Sequence, residues 1–133
     1  GKQTYLQASE RAILAASGSV TANPTASAVM IQAADLLVGP TSEIVLAGPE
    51  AEVRETARAL RKLYAPRKVV AALMTELPVD ASSPVAPLVQ GKESRELALY
   101  ICRNFSCQAP VTGASSIAAA MRGLGSMLTT TRS

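Results

Sequence analysis

The sequence predicts an α/β domain, an N-terminal helical hairpin followed by a small, mainly parallel three-stranded sheet flanked by helices. Three observations predict it. Two stretches at 4–17 and 24–38 carry apolar residues at helical spacing and are joined by a short turn. Three short apolar runs, at 43–48, 68–73 and 97–102, have the length and character of buried strands. The first two runs are separated by a single helical stretch with short loops, the pattern of a parallel unit with a right-handed crossover.

Each element has its own justification. In the first helix Tyr5, Ala8, Ala12 and Ala15 share one face, with Leu6 and Ile13 on a neighbouring one, and Gly18 supplies a stop. Asn23 offers an N-cap and Pro24 a first helical residue for the second helix, which carries Val29, Ala33, Leu36 and Leu37 and ends before Gly39-Pro40. Glu43-Ile44-Val45-Leu46-Ala47-Gly48 is the first strand. Pro49-Glu50-Ala51-Glu52 opens the next helix with a proline and acids, Val53, Ala57, Leu60 and Tyr64 form its inward stripe, and Pro66 ends it. Lys68-Val69-Val70-Ala71-Ala72-Leu73 is the second strand. Residues 75–91, with Pro78, Pro84 and Pro87, read as an irregular surface segment. Leu97-Ala98-Leu99-Tyr100-Ile101-Cys102 is the third strand. Thr112 is placed to cap a last helix carrying Ile117, Ala120, Met121 and Leu124, and 125–133 is expected to be a frayed tail.

Composition narrows the functional classes. The 133 residues suit one domain, and 48% hydrophobic against 17% charged content describes a globular chain. Six of the 13 basic residues fall between Arg54 and Lys68, at Arg54, Arg58, Arg61, Lys62, Arg67 and Lys68. Aromatics make up only 3%, so the stacking groups of a nucleic-acid surface are missing and a solvated helix face explains the stripe better. No apolar run approaches the roughly 20 residues of a membrane span. The first residues lack the apolar core of a signal peptide, so a cytoplasmic protein with neither a nucleic-acid nor a membrane partner is expected.

With no histidine and two cysteines, the chain cannot build a Ser–His or Cys–His pair, and it falls short of the about four ligands of a structural zinc. No metal or cofactor is expected, and no catalytic residue is identified. The candidate ligand-binding residues are Cys102, Asn104, Cys107, Gln108 and Thr112, clustered where the third strand surfaces into a polar turn. Asn104 and Gln108 are positioned to present amides at that strand's carboxyl end, the usual binding edge of an open parallel sheet. The four-residue gap between Cys102 and Cys107 is not that of a thioredoxin-type pair. The habits of free cysteine favour unpaired structural thiols over a disulfide and over a functional thiol. Of two strand-to-helix turns that could bind an anion, the one at Gly48-Pro49-Glu50 is poor because Glu50 and Glu52 repel a phosphate. The turn at Thr112-Gly113-Ala114-Ser115 is better, although ordinary capping also accounts for it.

Tyr100-Ile101-Cys102-Arg103-Asn104-Phe105-Ser106-Cys107-Gln108-Ala109-Pro110-Val111-Thr112 resembles the C-terminal signature of the large thioredoxin-domain-containing proteins of uncharacterised function. That family includes bacterial members and a spermatogenesis-associated thioredoxin-like one. Ala33-Ala34-Asp35-Leu36-Leu37-Val38-Gly39-Pro40, running into the first strand, and Pro66-Arg67-Lys68-Val69-Val70 support the resemblance, which covers residues 4–121. It departs from the family at Gly113-Ala114-Ser115-Ser116, where acidic and proline residues are commoner. The resemblance implies a thioredoxin-like domain and an epimerase-like α/α toroid upstream. Residues 1–133 would be a single C-terminal domain, with 4–38 the end of the toroid and 43–122 an α/β segment.

These readings converge on a non-catalytic structural or accessory domain of a thioredoxin-like, epimerase-like protein. Its partners would be the upstream domains. One small sheet cannot cover both apolar faces of the hairpin, so a homodimer of the isolated chain is also expected. The alternatives are a small-anion module at the carboxyl edge of the sheet and a thiol redox domain using Cys102 and Cys107.

Overall fold

A computed structural model describes residues 3–103 and 106–126, with side chains to Leu124. The chain is α/β, with an N-terminal helical hairpin and one mixed sheet. Helices α1 (Gln3–Ala22) and α2 (Ala28–Val38) precede β1 (Ser42–Gly48), α3 (Glu50–Lys62) and β2 (Lys68–Met74). A short helix α4 (Ala86–Val89), strands β3 (Ala98–Arg103), β4 (Ser106–Cys107) and β5 (Val111–Thr112), and helix α5 (Ala114–Ser126) follow.

The hairpin differs from its sequence reading at both ends of its turn. Gly18 does not stop α1, which runs on to Ala22, because a glycine inside a helix costs only about 1 kcal/mol and nothing crowds it here. Pro24 does not open α2. Asn23 instead accepts the Ala26 N–H at 3.1 Å, holding a turn that delays the helix to Ala28. Neither helix contains a buried residue. Asp35 ties α2 to the sheet: Arg67, just before β2, donates Nε to Asp35 Oδ2 at 2.8 Å, Nη2 to Oδ1, and Nη1 to the Gly39 carbonyl at 2.8 Å.

Strands β1 and β2 form the expected parallel pair, with Ser42 opposite Lys68 and Gly48 opposite Met74. The sheet is nevertheless larger and less parallel than the sequence suggested. Strand β3 lies on the other side of β1 and runs antiparallel to it, with Ala47 opposite Ala98 and Ser42 opposite Arg103. Strands β4 and β5 add antiparallel to β3, giving five strands among the described residues in the order β2-β1-β3-β4, with β5 also on β3. The physical reason lies in the β2–β3 connection. Its prolines and its four-residue helix α4 supply no crossover helix long enough to return the chain to the other end of the sheet.

Alternation along β1 divides the core in two. Ile44 and Leu46 face α3 and α5, packing with Val53, Leu60, Leu99, Ile117 and Leu124. Val45 faces the opposite side with Ala71 and Val89. Tyr64 is not part of the inward stripe: α3 ends at Lys62, Leu63 turns extended, and Tyr64 is left 84% exposed while Leu63 takes the core position. Gly113 rather than Thr112 precedes α5, and its carbonyl accepts the Ile117 N–H at 3.0 Å. The helix continues through Ser126, past the start of the expected tail, and 127–133 lie outside the described residues.

Candidate functional site

The sequence-derived candidates do not converge on one site. Because β3 is antiparallel to β1, its carboxyl end sits at the amino ends of β1 and β2, away from the edge where parallel strands normally build a ligand site. Cys102 and Cys107 face each other across the β3–β4 pair and are joined in a disulfide, contrary to the expectation of unpaired thiols. The cause is local: Arg103 pairs with Ser106, so the two cysteines are the next symmetric positions outward, and their Cα atoms lie 3.9 Å apart. Cys102 is fully buried and Cys107 is exposed. Asn104 lies outside the described residues.

Gln108 follows β4 and donates its backbone N–H to the Ile101 carbonyl at 3.1 Å. Cys107 and Gln108 line a cavity of about 420 Å³ between β3 and α5, closed by Ile101, Arg103, Ala120 and Leu124. Thr112 is at the other end of β3, opposite Ala98. Glu43, which is opposite Cys102 on β1, has its Oε2 buried without a hydrogen-bond partner among the described residues.

The larger cavity was missed by sequence reasoning. It is a groove of about 700 Å³ at the carboxyl ends of β1 and β2. Leu73, Met74 and Thr75 contribute from the end of β2. The rest comes from the 75–95 connection, with Pro78, Val79, Pro87 and Val89 on the apolar wall, and Gln90, Glu93 and Arg95 as polar members. Val89 seals against Val45 and Ala71, so the groove wall and the second core layer are the same structure. The available signal was Leu77, Val79, Val85, Leu88 and Val89, too many apolar residues for a solvated loop.

The N-terminus of α3 opens toward the same end, but it already holds an anion. Glu76 Oε2 accepts the Glu50 N–H at 3.0 Å, so a protein carboxylate satisfies a donor that a bound phosphate would need. Three of the six basic residues in the stripe are similarly engaged: Arg54 pairs with Glu50 at 2.6 Å, Arg67 with Asp35, and Lys68 donates to the Leu63 carbonyl at 2.5 Å. The Arg67 guanidinium hydrogen-bonded to Asp35 holds that carboxyl below the usual aspartate value, and Asp35 in turn raises Arg67.

Among the described residues, no group of three or more His, Cys, Asp or Glu is placed to hold a metal, and no helix is long and apolar enough to cross a membrane. The chain matches no protein-family model, no curated protein and no solved structure.

Proposed function

We propose that this chain is a non-catalytic accessory domain that docks through its N-terminal hairpin onto further helices. The observation that carries this reading is the exposure of the hairpin. Tyr5, Leu6, Leu14, Val29, Ile31, Leu36 and Val38 are all exposed, Val29 to 75% and Val38 to 81%, on two helices without a buried residue. Apolar surface on that scale marks a docking face rather than a finished exterior. In the resemblance to thioredoxin-domain-containing proteins, the missing helices belong to the upstream toroid. For the isolated chain the available partner is a second hairpin. Sedimentation velocity at tens of micromolar tests this. Self-association reduced by Leu36→Glu supports it, and a wild-type monomer, or association indifferent to that change, overturns it. A cytoplasmic setting belongs to the same proposal. A reducing pool would then open Cys102–Cys107, and its oxidation state in cells reports the compartment.

The 700 Å³ groove favours a second reading, a small-ligand module at the carboxyl edge of the sheet. With Glu76 occupying the α3 terminus, the ligand suited to the groove is an apolar body with one carboxylate directed to Arg95. Titration with decanoate, followed by amide shifts at Val79, Val89 and Arg95 and weakened by Arg95→Ala, is the test. Absence of shifts at those amides rejects it.

A further inference from the structure

Among the described residues strand β2 is an edge of the sheet, paired to β1 on one side and bridged on the other where Leu77 turns back to Met74. The hydrogen bonds flanking it reveal which of its backbone groups remain free. Ser42 donates to the Arg67 carbonyl and Thr75 donates to the Gly48 carbonyl, in the register that sets Ser42 opposite Lys68. In a parallel ladder, alternate residues direct both backbone groups to the same neighbour. Val69, Ala71 and Leu73 therefore serve β1, while Lys68, Val70 and Ala72 point their N–H and C=O groups outward. Met74 shares the outward set, with its carbonyl taken by the Leu77 N–H.

From Lys68 to Ala72 this edge has none of the usual protection, and it is closed at Met74 by the returning Leu77. Natural edges are shortened, charged, bulged or broken by proline. The opposite side of the sheet follows that rule, being split between the two-residue strands β4 and β5. Strand β2 is seven residues long, without proline, and its single charge is turned away because Lys68 Nζ is bound to the Leu63 carbonyl. Val69 and Val70 are 43% and 37% exposed, and Ala72 is also exposed, so the strand is accessible.

We propose that β2 is the site at which a second copy of this chain adds, antiparallel and edge to edge, about a two-fold axis through Ala71. The sequence is self-complementary in that register. Val70 and Ala72 of one copy exchange both hydrogen bonds with Ala72 and Val70 of the other and Val69 sits beside Leu73, while Lys68 falls at the end of the pairing, where Leu77 already bridges Met74, and away from the other Lys68. Helix α3 lies on the face of the sheet that carries Val70 and Ala72, so a two-fold axis normal to the sheet sets the two α3 helices antiparallel on one face. Glu50 and Glu52 in the first turn of one helix then lie toward the end that carries Arg61 and Lys62 in the last turn of the other.

The test uses the full chain carrying Leu36→Glu, so that association through the hairpin does not contribute. Sedimentation velocity and amide hydrogen exchange are measured across a concentration series. The expected result is a dimer in which the Val70 and Ala72 amides gain protection with concentration, while Val69 and Ala71 are protected throughout. Val70→Pro removes a donor that β1 does not use, and it is expected to weaken the dimer at least tenfold with the far-ultraviolet circular dichroism retained. If that variant does not fold, Ala72→Lys places a charge on the same edge and is expected to weaken the dimer equally. A monomer at the highest concentration, or a dimer whose Val70 and Ala72 amides exchange freely, overturns the proposal.

Discussion

Arg67 grips Asp35 with both arms of its guanidinium fork while a third N–H reaches the Gly39 carbonyl, so one side chain joins the end of α2 to the start of β2. The two residues are 32 positions apart. This clasp sets the direction in which the hairpin leaves the sheet, and it depends on pH. The folded-state value of Asp35 is depressed, chiefly by the hydrogen bond from Arg67. Its contribution is therefore complete above the unfolded value of about 4 and is lost as pH falls through the lower folded value. Melting temperatures of wild type and Asp35→Asn compared across that window are expected to differ near neutrality and to converge at the acid end. A difference that survives in strong acid would contradict the assignment.

Gly48 is expected to tolerate no side chain. Its φ is +138°, and a Cβ there would lie 2.8 Å from the Glu96 carbonyl oxygen and 2.9 Å from the Leu97 Cα. Both obstacles are backbone, so neither can swing aside. Gly48→Ala should cost about 2–5 kcal/mol from strain and overpacking together, read as a lower urea midpoint.

The two halves of the chain should respond differently to truncation. Leu46 is fully buried at the centre of the sheet, and Leu46→Ala is expected to cost about 2–5 kcal/mol. Leu14 on α1 is exposed, and Leu14→Ala in dilute, monomeric protein should change stability by no more than about 0.5 kcal/mol. Equal losses at the two sites, measured by denaturant unfolding, would show the hairpin to be part of the core.

Oxidised protein should resist alkylation even in denaturant, and intact mass will show it. After reduction under native conditions, Cys107 is expected to label first because Cys102 is buried. The loop is short, so a Cys107→Ser variant should lose only about 2 kcal/mol relative to the oxidised protein.

The unit from β1 to β2 was legible because each of its signals is local. Ile44 to Ala47 is unbroken apolar sequence, Glu50 and Glu52 mark a helix start, and Val53 and Leu60 recur at helical spacing. The direction of β3 was not legible, since a strand buried on both faces reads alike whether parallel or antiparallel. What decides it is the preceding connection, where prolines hid an apolar segment that packs Val89 under the sheet. The pairing of the cysteines had a faint trace, a two-residue gap between Arg103 and Ser106 that suits a hairpin, but Asn104-Phe105 lacks the Asn-Gly signature of such turns. The position of the candidate residues was not legible for the same reason, because a reversed β3 carries Cys102 and the Cys107-Gln108 turn to the amino ends of β1 and β2 and leaves Thr112 at the other end.

The contact of Gly48 with Glu96 and Leu97 has a consequence for how the chain can vary. Strand β2 exits and β3 begins at the same end of the sheet, on opposite flanks of β1, so the polypeptide must pass over the end of β1. It does so at Glu96 and Leu97, directly over Gly48. Strand register is therefore pinned at the close of the connection and is insensitive to what precedes it. Residues 80–84, which lie between the core-packing Val79 and the pair Leu88 and Val89, can lengthen, shorten or be cut near Ser82 while β1 stays flanked by both neighbours.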